Sequence, residues 1–425
     1  MSDMAAEELF EKVVNDPDKD GGLKSDARDA EPRNFFHHVI ALSCSKVADG
    51  LIDPKLVLSW LLTNLGAGAF LVGLLVPVRE AGSLLPQIFT AGAIHGMPRR
   101  KWAWAAGSAG QGIAAAGIVL SALFLDAQTA GVAIVALLAL LAVSRSVCSV
   151  SFKDILGKTV GKSRRGTVTG GAASVASVAV IVFAGLLLSG LIDRFNLVIG
   201  AITLAALGWF LAAVTMASLK EFHDEGQAKT AMPKPWATLK KNPQLARFIL
   251  VRSLLVGTAL APPYLVMLAS SGQQETAELG GLVLASAIAS FISSYVWGRL
   301  SDKSSRRVMI YAGLAAAIAL GLAIFVGYAG LASTVWAMPL VLFGLMVSYH
   351  GVRQARSTHL VDMAGPDQRA EFTAVSNTLV GVFLLIAGAA AAALANFGAG
   401  LVIGVFLVMS VAGAVLALGL DEVQE

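Results

Sequence analysis

Apolar runs of about twenty residues recur from residue 38 to residue 420, and nothing else in the chain constrains its fold as strongly. A helix of that length spans the about 30 Å hydrocarbon core of a bilayer. There it satisfies its own backbone hydrogen bonds, which lipid cannot do for it. Composition agrees. Hydrophobic residues make up 56% of the 425 and charged residues only 14%, against roughly 25% charged in a soluble domain. One aqueous core could not bury so much apolar surface. The 43 glycines fit the same reading, because small residues let membrane helices approach closely.

Twelve spans are expected, at approximately 38–62, 66–94, 102–124, 130–152, 167–191, 197–218, 247–271, 280–298, 308–328, 333–356, 372–395 and 400–420. They divide the chain into a polar tail (1–36), a six-helix bundle (37–218), a linker (219–246), a second six-helix bundle (247–420) and a short tail (421–425). Lys and Arg gather in the loops ending at Lys101, Gly166, Arg247, Arg307 and Glu371, about nineteen in all, whereas the alternate loops carry about one, Arg194. The positive-inside rule then places both termini in the cytoplasm of a multi-pass, bacterial-type inner membrane protein. The acidic, polar start up to Arg33 has no leader pattern, so the first span is expected to act as its own insertion signal.

A formal charge of +4 and a pI near 9.0 do not imply nucleic acid, because the basic residues are dispersed over short loops. Cys44 and Cys148 form neither a disulfide framework nor a zinc spacing. The run Gly157 to Ser163 has one residue too few between its glycines for a phosphate loop, and it follows a membrane helix rather than a strand. Asp16 to Gly21 begins like a calcium loop, but Ala27 stands where the bidentate Glu belongs. No cofactor, metal or enzymatic activity is expected.

Ionisable residues inside a bilayer cost about 2.5–3.5 kcal/mol each on insertion scales, so they face a cavity or a partner. Span one carries Lys46, Asp49 and Asp53 at i, i+3 and i+7, one face of a continuous helix, followed by Pro54. Span two carries Arg79 and Glu80 near mid-depth, span four Arg145, span seven Arg252, and span ten His350 and Arg353 on one face. These nine are the candidate substrate and proton pathway. Lys55 and Arg356 are expected to point elsewhere or to snorkel to an interface. In the other reading the groups only fasten helices, Lys46 to Asp49 and Asp53 to Arg145.

The two halves also match each other at an offset of about 204–207 residues: Gly50 with Gly257, Gly92 with Gly298, Arg100 and Lys101 with Arg306 and Arg307, and Arg165 with Arg369. Two parallel repeats characterise one large transporter class. Gly298, Leu300, Ser301, Asp302, Lys303, Arg306 and Arg307 resemble the Gly-x-Leu-x-Asp-Arg/Lys-x-x-Arg-Arg/Lys loop of the major facilitator superfamily. Arg165-Gly166 and Pro366, Asp367 and Arg369 look family-like too, and Arg145 sits where many members carry a buried Arg. Departures are Gly96 in place of the first-half Asp, Cys148 and Ser149 in place of a Gln and a Gly, and no Gly-Pro antiporter pattern around Gly170, Gly171, Gly185 and Gly190. The resemblance implies twelve helices, a cavity lined by spans one, four, seven and ten, and a cytoplasmic gate held by Gly298, Asp302, Arg306, Arg307 and Arg165. It implies a monomeric secondary transporter working by alternating access. The excess of intramembrane cations leans toward a small organic anion, with protons or another ion as the coupling partner. A non-transporting sensor or assembly partner of the same fold is the other expectation.

Overall fold

The computed structural model describes residues 7, 10–11, 23, 25–87, 90, 93–94, 96–222, 235–270, 278–364 and 368–424. Gly92, Gly365, Pro366, Asp367 and the acidic run at 16–21 lie outside them. The described chain is helical throughout, without strands. Eight of its helices are long and apolar enough to cross a membrane: Lys101–Phe124 (span three), Ala127–Thr159 (four), Arg165–Ser189 (five), Arg194–Ala217 (six), Pro243–Ala269 (seven), Ser305–Tyr328 (nine), Glu371–Phe397 (eleven) and Ala399–Ala417 (twelve).

The remaining four spans are those that carry charge or a break. Span one is Glu31–Leu51 continued by Val57–Asn64, and span two is Ala69–Leu84. Span eight is Glu278–Lys303, bent by 42° between Leu279–Ser293 and Val296–Lys303, and span ten is Ala337–Met363. Span one does not run through as a single helix. Pro54 cannot donate to the ladder, and the freed groups are satisfied locally. The Lys55 N–H donates to Asp53 Oδ1 at 2.6 Å, and Ser59 Oγ donates to the Pro54 carbonyl at 2.7 Å. Span seven is broken at a similar depth, into Pro243–Leu254, Gly257–Leu260 and Pro262–Ser270.

Helix starts are written in the loops. Asp126, Asp193 and Ser304 cap spans four, six and nine by accepting from the N–H groups of Thr129, Asn196 and Arg307. Asp126 lies between spans, and the hydrogen bonds from Thr129 hold its carboxyl below the usual carboxylate range.

The packing repeats. In the first half span three packs on four and six, span one on five and six, and span two on four; in the second, nine packs on ten and twelve, seven on eleven and twelve, and eight on ten. The halves meet through span two against eleven and span five against eight. Close approach needs glycine at two crossings. A Cβ on Gly73 would lie 2.6 Å from the Tyr264 hydroxyl and 2.8 Å from Ala392 Cα, and one on Gly388 would lie 2.1 Å from the Pro77 ring.

The face carrying the linker and the basic loops is here called the basic face. Spans five and eight are tight at the opposite face, where Gly280 sits against Leu187 and Leu188. At the basic face the positions around Gly166, Gly170, Gly171 and Gly298 meet open space.

In the tail Glu7, Phe10 and Glu11 are helical, and Phe10 packs edge-on to Phe35 at 5.4 Å.

Candidate central site and gate

The charged residues of spans one, two, four, seven and ten converge between the two halves. Asp49 is the organising acid. Arg79 donates to its Oδ1 at 2.9 Å and Arg145 pairs with its Oδ2, so one carboxylate ties spans one, two and four. Charge-assisted bonds of this kind are the strong ones. The pairings expected from spacing are corrected. Asp49 does not take Lys46, and Asp53 does not take Arg145. Asp53 leaves the Lys46–Asp49 face because the helix ends at Leu51, and its carboxylate turns to the backbone of the break.

Lys55 corrects another expectation. It is buried rather than snorkelling, with Nζ 3.7 Å from Glu80 Oε1 and 3.7 Å over the Tyr349 ring. The break after Leu51 swings it inward, where it joins spans one and two of one half to span ten of the other. Arg356 likewise lines the central pocket, together with Glu80, Arg252, Tyr349 and Arg353. Arg252 is buried and donates to Ser376 Oγ at 2.8 Å and to Asn377 Oδ1 at 3.0 Å on span eleven. His350 Nε2 is buried without a hydrogen-bond partner among the described residues. No carboxylate pairs with Lys46 among the described residues. Arg353 lines the pocket and is solvent-exposed. Seven cations (Lys46, Lys55, Arg79, Arg145, Arg252, Arg353, Arg356) and three carboxylates (Asp49, Asp53, Glu80) thus belong to the spans that converge here, with Asp49 held by Arg79 and Arg145 and Glu80 lining the pocket beside Arg252, Arg353 and Arg356.

At the gate, Gly298 is half-buried and Asp302 is exposed, with no ion pair among the described residues. Arg165 is committed to the end of span four, donating to the Val160 and Gly157 carbonyls at 2.9 and 2.7 Å. Arg306 meets Glu422 at 3.5 Å and the Leu420 carbonyl at 3.2 Å rather than Asp302, and the Arg307 N–H donates to Ser304 Oγ.

Spacing alone missed the acids that anchor these loops. Glu221 accepts from the N–H groups of Arg100 and Lys101 at 3.0 and 2.7 Å, and Arg100 pairs with Asp154. In the second half Glu422 accepts from Ser304 Oγ at 2.6 Å and Gln424 from the Ser305 N–H at 2.9 Å. Glu31 accepts from the Gly161 N–H at 2.8 Å and pairs with buried Arg164. All lie outside the apolar runs expected as spans, where composition shows only solvated residues. The one usable signal is that Glu221 and Glu422 each follow the last span of their half.

Two six-helix repeats with charged residues converging on a pocket between them define the class as polytopic membrane transporters rather than enzymes. The chain belongs to the Major Facilitator Superfamily, whose sequence profile matches residues 39–352. Its fold is similar to that of a mutant form of the nucleoside transporter NupG, at 14% identity and TM-score 0.69, covering 92% of this chain and 100% of that one. It is similar to a D-xylose-proton symporter at 9% identity and TM-score 0.68, covering 92% and 98%. It is also similar to a POT family transporter in complex with a thioalcohol-conjugated peptide, at 12% identity and TM-score 0.65, covering 91% and 95%. No curated protein matches the chain by sequence.

Proposed function

We propose that this protein is a secondary active transporter of a small organic anion, coupled to protons and working by alternating access between its two six-helix halves. The observation that carries the reading is the excess of positive charge where the halves meet: Glu80 lines a pocket with Arg252, Arg353 and Arg356, and Asp49 is shared by Arg79 and Arg145. Unneutralised cations at membrane depth call for a partner that the protein does not supply, and an anionic solute supplies it. Asp49 and Glu80 are the carboxylates placed to exchange a proton. Each is held by cations, so protonating either one frees basic side chains for the substrate, and losing the proton withdraws them from it. The basic face is assigned to the cytoplasm.

Purified protein in liposomes with an inward proton gradient is expected to accumulate one or more organic anions and to exclude neutral sugars and nucleosides. Accumulation of a neutral solute in place of any anion would overturn the anionic reading. Accumulation that survives collapse of the proton gradient would overturn the coupling.

A further inference from the structure

The positive charge of the central site is divided between the halves. In the first half both oxygens of Asp49 are occupied, by Arg79 and Arg145, so the triad keeps one positive charge. Lys46, one turn earlier on the same helix and without a carboxylate partner among the described residues, adds a second. In the second half Arg252 is bonded to the neutral Ser376 and Asn377. Glu80 is the carboxylate lining the pocket beside Arg252, Arg353 and Arg356, and it is already shared with Lys55. Lys46 and Arg252 stand 206 residues apart, within the repeat offset, so each half contributes a cation from its first helix. Arg79 of the Asp49 triad and Glu80 of the pocket are consecutive residues of span two, which brings the two groups to adjoining places between the halves.

An anion with its charge at one end would neutralise one group and leave the other unpaired and partly desolvated, which is costly. We propose, on the anion-transport reading above, that the substrate is a small dianion with an anionic group at each end, a short dicarboxylate. One end is held by Lys46 and Arg145 and the other by Arg353 with its neighbours Arg252 and Arg356. Such a ligand bridges the two halves across the cavity, so its binding bears directly on how they move against each other.

Thermal stability of the purified full-length protein, titrated with succinate, butyrate, glycerol phosphate and uridine, tests this. Succinate is expected to half-saturate the shift at a concentration about tenfold or more below butyrate, as a second charge-assisted contact implies. Lys46→Gln and Arg353→Gln should each bring that ratio close to one, while Lys46→Arg should keep it, which separates loss of charge from loss of fold. Equal affinity for butyrate and succinate in the unaltered protein would overturn the dianion inference and leave anion transport standing. So would a preference for glycerol phosphate, or no response to any short dicarboxylate while butyrate binds. A response to uridine alone would overturn both readings.

Discussion

At the scale of single residues, Asp49 differs from the other carboxylates of the site. It has an arginine on each of its two oxygens. Removing its charge leaves Arg79 and Arg145 facing each other unpaired. Asp49→Asn is therefore expected to lower stability by about 2–3 kcal/mol, read as a lower melting temperature of the purified protein. Arg79→Gln in the same chain should recover part of that loss. The same substitution should abolish concentrative uptake while substrate exchange continues. Normal proton-driven accumulation by Asp49→Asn and by Glu80→Gln would remove both from the coupling path. Lys55 makes a finer test. Its replacement by Met keeps the apolar stem and loses the contact to Glu80 within its own half and to Tyr349 across the halves. Flux should fall by more than stability does. The charges of spans one, two, four, seven and ten were legible because ions are rare in apolar runs. Their partners were not, because Asp49 has several cations within reach and spacing does not choose among them.

At the scale of elements, the broken first span explains most of what helical projection misplaced. An unbroken helix puts Lys46, Asp49 and Asp53 on one face and Lys55 off it. The break instead uses Asp53 as a cap and turns Lys55 to the cavity. Pro54 in the sequence signals a kink, but a kink's direction depends on which side chains satisfy the freed backbone groups, here Asp53 and Ser59. Asp53→Ala should then destabilise by about 0.5–2 kcal/mol, the ordinary worth of a cap. Asp53→Asn should retain most of the stability and most of the proton-driven transport, in contrast to Asp49→Asn. If Asp53→Asn loses coupling as completely as Asp49→Asn, Asp53 is a proton carrier and not a cap. The long apolar spans were legible nearly to their ends, although span four continues to Thr159, about two turns past its expected stop. Its last turns leave the apolar pattern and are held by Asp154 and Lys158 at the loop anchors.

At the scale of the whole molecule, the repeat was legible as an offset of like residues and reappears as a like order of helix packing. The conformational state was not legible, since one sequence serves every state of a transporter. In the conformation described, Asp302 is exposed and Arg165 is committed to carbonyls of span four. Closure therefore cannot rest on an Asp302–Arg165 ion pair unless Arg165 gives up those bonds. What remains for Asp302 is the positive end of span five, whose first N–H groups begin at Arg165. A carboxylate there is worth typically about 0.3–1 kcal/mol, and up to about 2 when partly buried. That corresponds to a roughly two- to thirtyfold change in a two-state population. Gly96 holds the matching place in the first half without a charge, so the two loops contribute unequally. Asp302→Asn should favour the state open at the basic face, seen as faster thiol labelling of a cysteine placed at the exposed Ser357. Gly96→Asp should slow that labelling by adding a second acid to closure. In intact cells the same reagent should reach a cysteine at the exposed Leu191 but not one at Lys240, if the basic face is cytoplasmic. Labelling of Ser357→Cys that is unchanged in both Asp302→Asn and Gly96→Asp, with normal expression, would reduce Asp302 to a turn residue and leave closure to the packing of spans five and eight.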